Sequence, residues 1–313
     1  MKKGILKEST SPYNSPTWII NKKATSGPPR WRLITDFRAL NEITEGTNYP
    51  IPNQTDIIDN VASARYITCL DLTSGYYQIK IHADSSKYTA FSGPYNHYEY
   101  TRLPMGLKTS PHTFAKAVHL ALAGLQGSEL YVYLDDIFIF SQNLLQHGER
   151  FRKLRKRLEY ANLTLNPKKC QFLQHEANFL GHIAGNGKIR MDPKKIEVVK
   201  KYPIPTTLKK CKQSTSLCSY YRRFVKGFAK IARPLYQLQH KDVPFIWGPK
   251  EQESFETLRN LLCEEPILIA PDMNKPFLIS CDASDYAVGA ILEQEVDGKM
   301  HPCAYASRTM KGP

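Results

Sequence analysis

The sequence predicts an α+β protein of two or three domains, and three observations lead there. Two apolar runs rich in β-branched and aromatic residues, YITCLDL (66–72) and LYVYLDDIFIF (130–140), read as strands that end on or enclose acids. Stretches of helical periodicity lie between and after them. The 313 residues exceed what one core ordinarily holds, and a hydrophobic content of 42% is enough for real cores rather than a disordered chain.

Taken in order, the first 65 residues are rich in Pro, Asn, Thr and Lys, with one compact run, Trp31 to Asn41, that reads as a strand and a turn. YITCLDL follows as a strand, then a Ser-Gly turn, then YYQIKI (76–81), whose alternation reads as a second strand. Residues 110–123 read as a helix with Ser110 as N-cap, Pro111 at the first helical position, and Phe114, Val118, Ala121 and Leu122 on one apolar face. LYVYLDDIFIF reads as a β-hairpin with Asp135 and Asp136 at its tip. A basic amphipathic helix around 150–158 puts Phe151, Leu154 and Leu158 on one side. Asp192-Pro193 opens a helix ending near Pro203, a second helical stretch covers about 207–224, and Pro249 opens a third through Leu262. The last forty residues turn strand-like.

The net charge is +14, with a sequence pI near 9.3. The basic residues are spread along the chain, which suits a surface that tracks a polyanion and favours nucleic acid over a merely basic protein. Seven cysteines, with no Cys-x-x-Cys pair, argue against a disulfide scaffold or a zinc site and for a reducing, intracellular setting. No apolar run approaches membrane-spanning length, and the opening MKKGILKEST has no signal-peptide core, so no membrane association is expected.

Asp135 and Asp136 are the most informative residues. Adjacent acids flanked by apolar strand residues repel each other in a poorly hydrated place unless a cation neutralises them. Magnesium, a hard ion that takes carboxylate and phosphate oxygens, fits. A polar hairpin tip is an equal alternative for this pair alone. Asp71 shifts the balance, because two neighbouring strands in one sheet bring it against Asp135. Three carboxylates at one sheet edge can hold two metal ions.

YVYLDDIFIFS resembles the Tyr-x-Asp-Asp signature of reverse transcriptases, and CLDLTSGYYQIKI resembles their first catalytic strand. WRLITDFRALN, YPIP, LPMGLKTSPHTF, LNPKKCQF and FLGH stand in that family's order and spacing. YYRRFVKGFAKIARPL and CDASDYAVGAILEQ with HPCAYASR are similar to polyproteins of gypsy-type LTR retrotransposons. The resemblance covers nearly the whole chain. It implies a right-hand polymerase with fingers, palm and thumb and an antiparallel palm sheet, plus a partial ribonuclease H-like α/β domain. Fingers and palm would take residues 1–183, thumb or connection 184–245, and the partial ribonuclease H-like domain 246–313.

The resemblance also implies roles. Asp71 and Asp135 would ligate two Mg2+ ions (or Mn2+), with Asp136 beside them and the Leu72 carbonyl completing one site. Tyr76 would be a steric gate that selects deoxynucleotides; ordinary strand packing is its other reading. Arg32 would grip the nucleotide triphosphate with its planar fork. Lys22, with Lys23 close behind, is the companion lysine or else an exposed loop lysine. Met105 and Gly106 belong to the nucleotide and template loop. Met105 departs from the Gln common in retroviral relatives and is apolar as in gypsy-type elements. Lys169 would protonate the leaving pyrophosphate or else be a solvated lysine in a turn. FLGH would grip the primer. The cation run at 150–157 is a phosphate-tracking surface or a solvated helix face. CKQSTSLC (211–218) is polar where the family is usually apolar, which would weaken one helix contact.

Asp282, in CDASDYAVG, would be the first acid of a ribonuclease H site. The sequence ends before the further acids such a site needs, so this chain is not expected to cleave RNA in hybrids; its beginning also resembles a point already inside the fingers. The leading expectation is an RNA-directed DNA polymerase acting on template-primer with deoxynucleoside triphosphates. A non-enzymatic nucleic-acid-binding remnant and a metal-dependent nuclease are the alternatives. Whether the chain forms a homo- or heterodimer is left open by the sequence.

Overall fold

The structure is a computed structural model that describes residues 4–22, 30–50 and 52–310. In chain order its elements begin with β1 (Leu6–Glu8), β2 (Thr17–Lys22), β3 (Arg30–Thr35), α1 (Arg38–Ile43), α2 (Gln54–Ala62) and β4 (Tyr66–Asp71). Next come α3 (Ala83–Ser86), β5 (Phe91–Ser92), β6 (His97–Tyr100), α4 (Ser110–Ala121), β7 (Leu130–Tyr133), β8 (Asp136–Ser141), α5 (Leu144–Tyr160) and β9 (Gln171–Gln174). The rest comprises β10 (Glu176–Phe179), β11 (His182–Gly185), β12 (Lys188–Met191), α6 (Pro193–Lys200), α7 (Leu208–Tyr220), α8 (Phe228–Gln237), α9 (Pro249–Cys263), β13 (Ile267–Ile269), β14 (Leu278–Ala283), β15 (Ala287–Val296) and β16 (Lys299–Thr309). Two compact units emerge, one of residues 1–54 and 68–173, the other of 55–67 and 174–313.

The first unit is built on a four-stranded sheet in the order β7-β8-β4-β9. Leu130 and Val132 on β7, Ile137 and Ile139 on β8, and Leu70 on β4 are all buried. They share a core with Phe114, Val118 and Leu122 around α4 and with Leu154 and Leu158 of α5. Each such side chain contributes about 1.5–3 kcal/mol when fully buried, so the strands that carry the acids are anchored in a buried core. A polar chain also ties α5 to the sheet. Leu173 N–H donates to Thr68 Oγ1, and the buried His147 ring meets Thr68 with Nε2 and Ser141 with Nδ1, both at 2.8 Å. A smaller sheet, β1-β6-β5, and the β2–β3 hairpin complete this unit.

The second unit contains the sheet β10-β11-β12-β13, the helices α6 to α9 and the sheet β14-β15-β16, with α2 belonging to it as well. Arg223 donates to Asp59 at 2.8 Å, which pins α2 within this unit. The polar stretch 211–218 lies within α7 and turns Cys211, Ser214, Thr215 and Cys218 inward: Thr215 Oγ1 donates back to the Cys211 carbonyl and accepts from Gln239 Nε2. Satisfied hydroxyls replace apolar contacts there.

Several local expectations change. YYQIKI does not continue as a strand. After Asp71 the chain turns through Ser74, in the left-handed region at φ 49°, into a 3₁₀ turn over Gly75–Gln78. Ser110 does not cap α4; it is the helix's first residue, behind Thr109 at the cap position, and its hydroxyl donates to the Pro104 carbonyl. The helix opened by Pro193 stops at Lys200, and the stretch 207–224 is α7 followed by a short 3₁₀ turn. Helix α8 was not marked as a helix in the sequence. Lys23 lies outside the described residues.

Candidate active site

Asp71 is the last residue of β4, and Asp136 is the first of β8, its neighbour in the sheet. Asp135 sits between them in the two-residue loop that joins Tyr133 to Asp136. Leu134 opens that loop at φ 54°, a left-handed conformation that costs a β-branched or γ-branched side chain energy and that tight hairpin turns favour. Leu72 N–H donates to the Asp135 carbonyl at 3.1 Å and stitches the end of β4 to the hairpin. The apolar residues that the sequence places on both sides of each acid therefore anchor the strands, and the acids are left at their ends.

Gly75 sets how closely these parts approach. A Cβ at this position would stand 2.8 Å from the Phe114 ring and 3.5 Å from the Asp135 Cβ. Any side chain there would push the Phe114 ring of α4 out of place. Tyr76, next to it, packs its ring 5.0 Å from Phe114 and is half-buried. Burial raises the Tyr76 phenol above its ordinary pKa, and the Asp135 charge raises it further.

The electrostatics record how the acids crowd. Asp136 is pushed up to about 6 by burial first, then by the charges of Asp135 and Asp71, with Lys169 pulling the other way. Lys169 Nζ lies 2.7 Å from Asp71 Oδ2. That hydrogen bond, helped by Asp135 and Asp136, holds the ammonium above its usual pKa. Three carboxylates are hard oxygen donors of the kind a divalent cation takes. Among the described residues no three Asp, Glu, His or Cys side chains stand close enough to hold an ion as they are. Lys169 engages only Oδ2 of Asp71, one of the oxygens an ion would use, and by its chemistry the donor set fits.

A second group of expected residues lines one cleft of about 360 Å³. Arg32, Met105 and Gly106 form its walls together with Trp31, Thr35, Ser74, Tyr77 and Tyr100. Arg32 is exposed on β3, opposite Ile20 of β2, and its charge lowers the Tyr77 phenol against the larger raising effect of burial. Tyr77 stacks on Tyr100, whose hydroxyl lies 3.1 Å from Thr35 Oγ1. Gly106 has φ +100°, which side-chain-bearing residues rarely adopt, and its carbonyl accepts from Asn41 Nδ2 at 2.8 Å. Asn41 therefore connects the WRLITDFRALN and LPMGLKTSP segments. The backbone of Lys22 pairs with Arg30 across the β2–β3 hairpin.

Asp71, Leu72, Asp135, Asp136, Lys169 and Tyr76 thus come together, and Arg32, Met105 and Gly106 line a cleft reached from the same turn through Ser74 and Tyr77. Asp282 is elsewhere, exposed on β14 opposite Gly289 in the second unit. Sequence reasoning missed Ser74, Tyr77, Gln78 and Tyr100. Reading 76–81 as a strand hid the 3₁₀ turn that aims the first three.

Residues 20–184 match the family described as reverse transcriptase (RNA-dependent DNA polymerase), and residues 247–313 match the RNase H-like domain found in reverse transcriptase. The chain is 41% identical over 312 residues to the retrovirus-related Pol polyprotein from transposon 297 of Drosophila melanogaster, covering 99% of this chain and 29% of the relative. It is 37% identical over 327 residues to the corresponding polyprotein from transposon gypsy of the same organism, covering 100% and 31%. The chain therefore spans about a third or less of these relatives. Among solved structures, the foamy viral protease-reverse transcriptase in complex with dsDNA superposes with a TM-score of 0.85 at 26% identity, covering 99% of this chain and 64% of that one. The same protein in complex with RNA/DNA hybrid gives 0.81, covering 99% and 41%.

Proposed function

The chain belongs to the reverse transcriptase (RNA-dependent DNA polymerase) family, and from that premise we propose that its first unit extends a DNA primer on an RNA or DNA template using deoxynucleoside triphosphates. The observation that carries this is the convergence on Asp136, which feels the charges of both Asp135 and Asp71 at the end of one sheet. Concentrated negative charge there serves a reaction whose main need is positioning and charge neutralisation.

Asp71, Asp135 and Asp136, with the Leu72 carbonyl, would hold two Mg2+ ions, or Mn2+ in their place. Ions held there would supply charge neutralisation for the triphosphate and a lowered pKa for the primer 3′-hydroxyl. The chain's own residues do the rest. Arg32 offers a planar fork to phosphate oxygens at the cleft mouth. Tyr76, wedged on Phe114, presents a bulky ring where a ribose 2′-hydroxyl would lie. Lys169 holds a proton next to Asp71 for the departing pyrophosphate. Residues 1–183 would be fingers and palm, 184–245 thumb or connection, and 246–313 the ribonuclease H-like part. The family matches at 20–184 and 247–313 support that division. An intracellular setting is supported by cysteines that are all free among the described residues. None of the described helices is long and apolar enough to cross a membrane.

The test is primer extension by the purified chain on a primed RNA template with magnesium. Extension that Asp135→Asn abolishes is the expected result. Tight binding of template-primer with no extension would instead support a nucleic-acid-binding protein without polymerase activity.

A further inference from the structure

We infer that Gln78 is a positioning residue that clamps the segment carrying Lys169 against the end of the strand carrying Asp71, an inference that rests on the polymerase reading of this site. Gln78 sits at the end of the 3₁₀ turn that follows Asp71. Its carboxamide fills every hydrogen-bonding position it has. Nε2 donates to the Thr73 carbonyl at 2.8 Å and to the Thr164 carbonyl at 3.0 Å. Oε1 accepts from Thr164 N–H at 2.7 Å and from Thr164 Oγ1 at 3.1 Å. A backbone N–H can only donate and a carbonyl can only accept, so these partners fix which end of the amide is oxygen. Glu or Met at this position could not reproduce the set.

The clamp has a fixed side and a held side. On the fixed side, Arg102 Nη1 donates to the Gln78 carbonyl at 3.1 Å, and Leu103 N–H donates to the Ile79 carbonyl at 2.9 Å. On the held side, the segment is also tied to β4 by Thr73 N–H to the Thr164 carbonyl (2.9 Å) and Asn166 N–H to the Asp71 carbonyl (2.8 Å). Leu72 and Leu165 form an isolated bridge between those two bonds. Lys169 follows one turn later, its N–H donating to the Asn166 carbonyl at 3.0 Å. The distance from Lys169 to Asp71 therefore depends on where Thr164 and Asn166 sit, and Gln78 supplies four of the bonds that fix Thr164 and Thr73. Misplacing a reacting group by an ångström can cost about a hundredfold in rate, so a clamp this close to the acids bears on the chemical step.

The experiment compares the wild-type chain, Gln78→Met, Lys169→Met and the double variant in primer extension. Methionine keeps the length and the apolar stem of Gln and loses all four bonds. The expected result is a fall in kcat of at least about tenfold for Gln78→Met, with KM for the deoxynucleotide unchanged, and no further fall when the substitution is added to Lys169→Met. Equal losses in both backgrounds, or a loss confined to KM, would overturn the inference. Amide hydrogen exchange reads the clamp independently of activity. Faster exchange at Thr73, Thr164 and Asn166 in folded Gln78→Met supports it even if the wild-type chain extends no primer, and unchanged protection at all three amides overturns it. A wild-type chain without extension counts against the polymerase reading alone.

Discussion

Lys169 Nζ stands 2.7 Å from Asp71 Oδ2, although the two residues lie 98 positions apart in the chain. The lysine is well exposed, whereas the acid is mostly covered. The pair therefore contributes little to stability by itself, and in the proposed mechanism it holds a proton donor beside a metal-binding carboxylate. Lys169→Met is expected to leave thermal unfolding nearly unchanged and to lower kcat by about a hundredfold, the lower range for losing a general acid. Pre-steady-state primer extension checks this, and an undiminished chemical step would remove Lys169 from the mechanism.

Asp135→Asn should abolish extension while template-primer still binds. It should also move its neighbour. Asp136 is held up near 6 partly by the Asp135 charge, so neutralising Asp135 brings the Asp136 carboxyl down toward its ordinary value. Carboxyl-carbon NMR titration without divalent ions reads that shift; an Asp136 that titrates unchanged would mean that the two acids do not interact.

Arg32→Ala should raise KM for deoxynucleotides with a smaller effect on kcat. Arg32 lines the cleft with Met105 and Gly106, and the proposed mechanism gives it the triphosphate oxygens. A hydrogen bond to a charged group is worth about 1.5–3 kcal/mol, which corresponds to roughly a ten- to hundredfold rise in KM. Steady-state kinetics over nucleotide concentration settles it, and an unchanged KM with a collapsed kcat would assign Arg32 another role.

Much of this was legible in the sequence because burial and charge conflict there so plainly. YITCLDL and LYVYLDDIFIF read as strands, and their acids fall at the strand end and the hairpin tip. The strand order β7-β8-β4, which brings Asp136 beside Asp71, depends on pairing between distant segments, and the spacing alone does not encode it. Reading 76–81 as a strand failed for a related reason. Alternation of Tyr, Gln, Ile and Lys suits an extended chain locally, but the left-handed Ser74 and the close approach of Gly75 to Phe114 turn the backbone into a 3₁₀ turn. That error hid Tyr77 and Gln78. Helix α8 is not in the sequence reading; Gly227 caps it in a left-handed conformation and Pro234, ordinarily a helix breaker, is accommodated within it.

Tyr76→Val should relax the choice of sugar. The Tyr76 ring rests on Phe114 and is bulky where a valine leaves space. Ribonucleotide incorporation is expected to rise by at least about tenfold relative to deoxynucleotide incorporation, a modest change for opening a steric contact. Competition between the two triphosphates in extension assays measures this. An unchanged ratio would return Tyr76 to the role of core packing.

The second unit should be acid-sensitive through His182. This residue is 3% exposed, with its ring stacked near Phe224 and Tyr221. Burial, and then the Arg223 charge, lower its pKa to about 4 from the ordinary 6.5. Between those values the unfolded chain binds a proton that the folded chain does not. The stability contribution is therefore complete above pH 6.5, declines as pH falls toward 4, and levels off below. The full drop is on the order of 3 kcal/mol, of which about 2 is lost by pH 5. His182→Phe keeps an aromatic ring in the stack and removes the proton site. Asp59 and Asp192, which also titrate away from their ordinary values in this unit, remain in both proteins and cancel in the comparison. Urea unfolding at pH 7 and pH 5 should show the wild-type chain losing about 2 kcal/mol more than the variant. An equal loss in both would mean that the His182 ring is not held neutral by its surroundings.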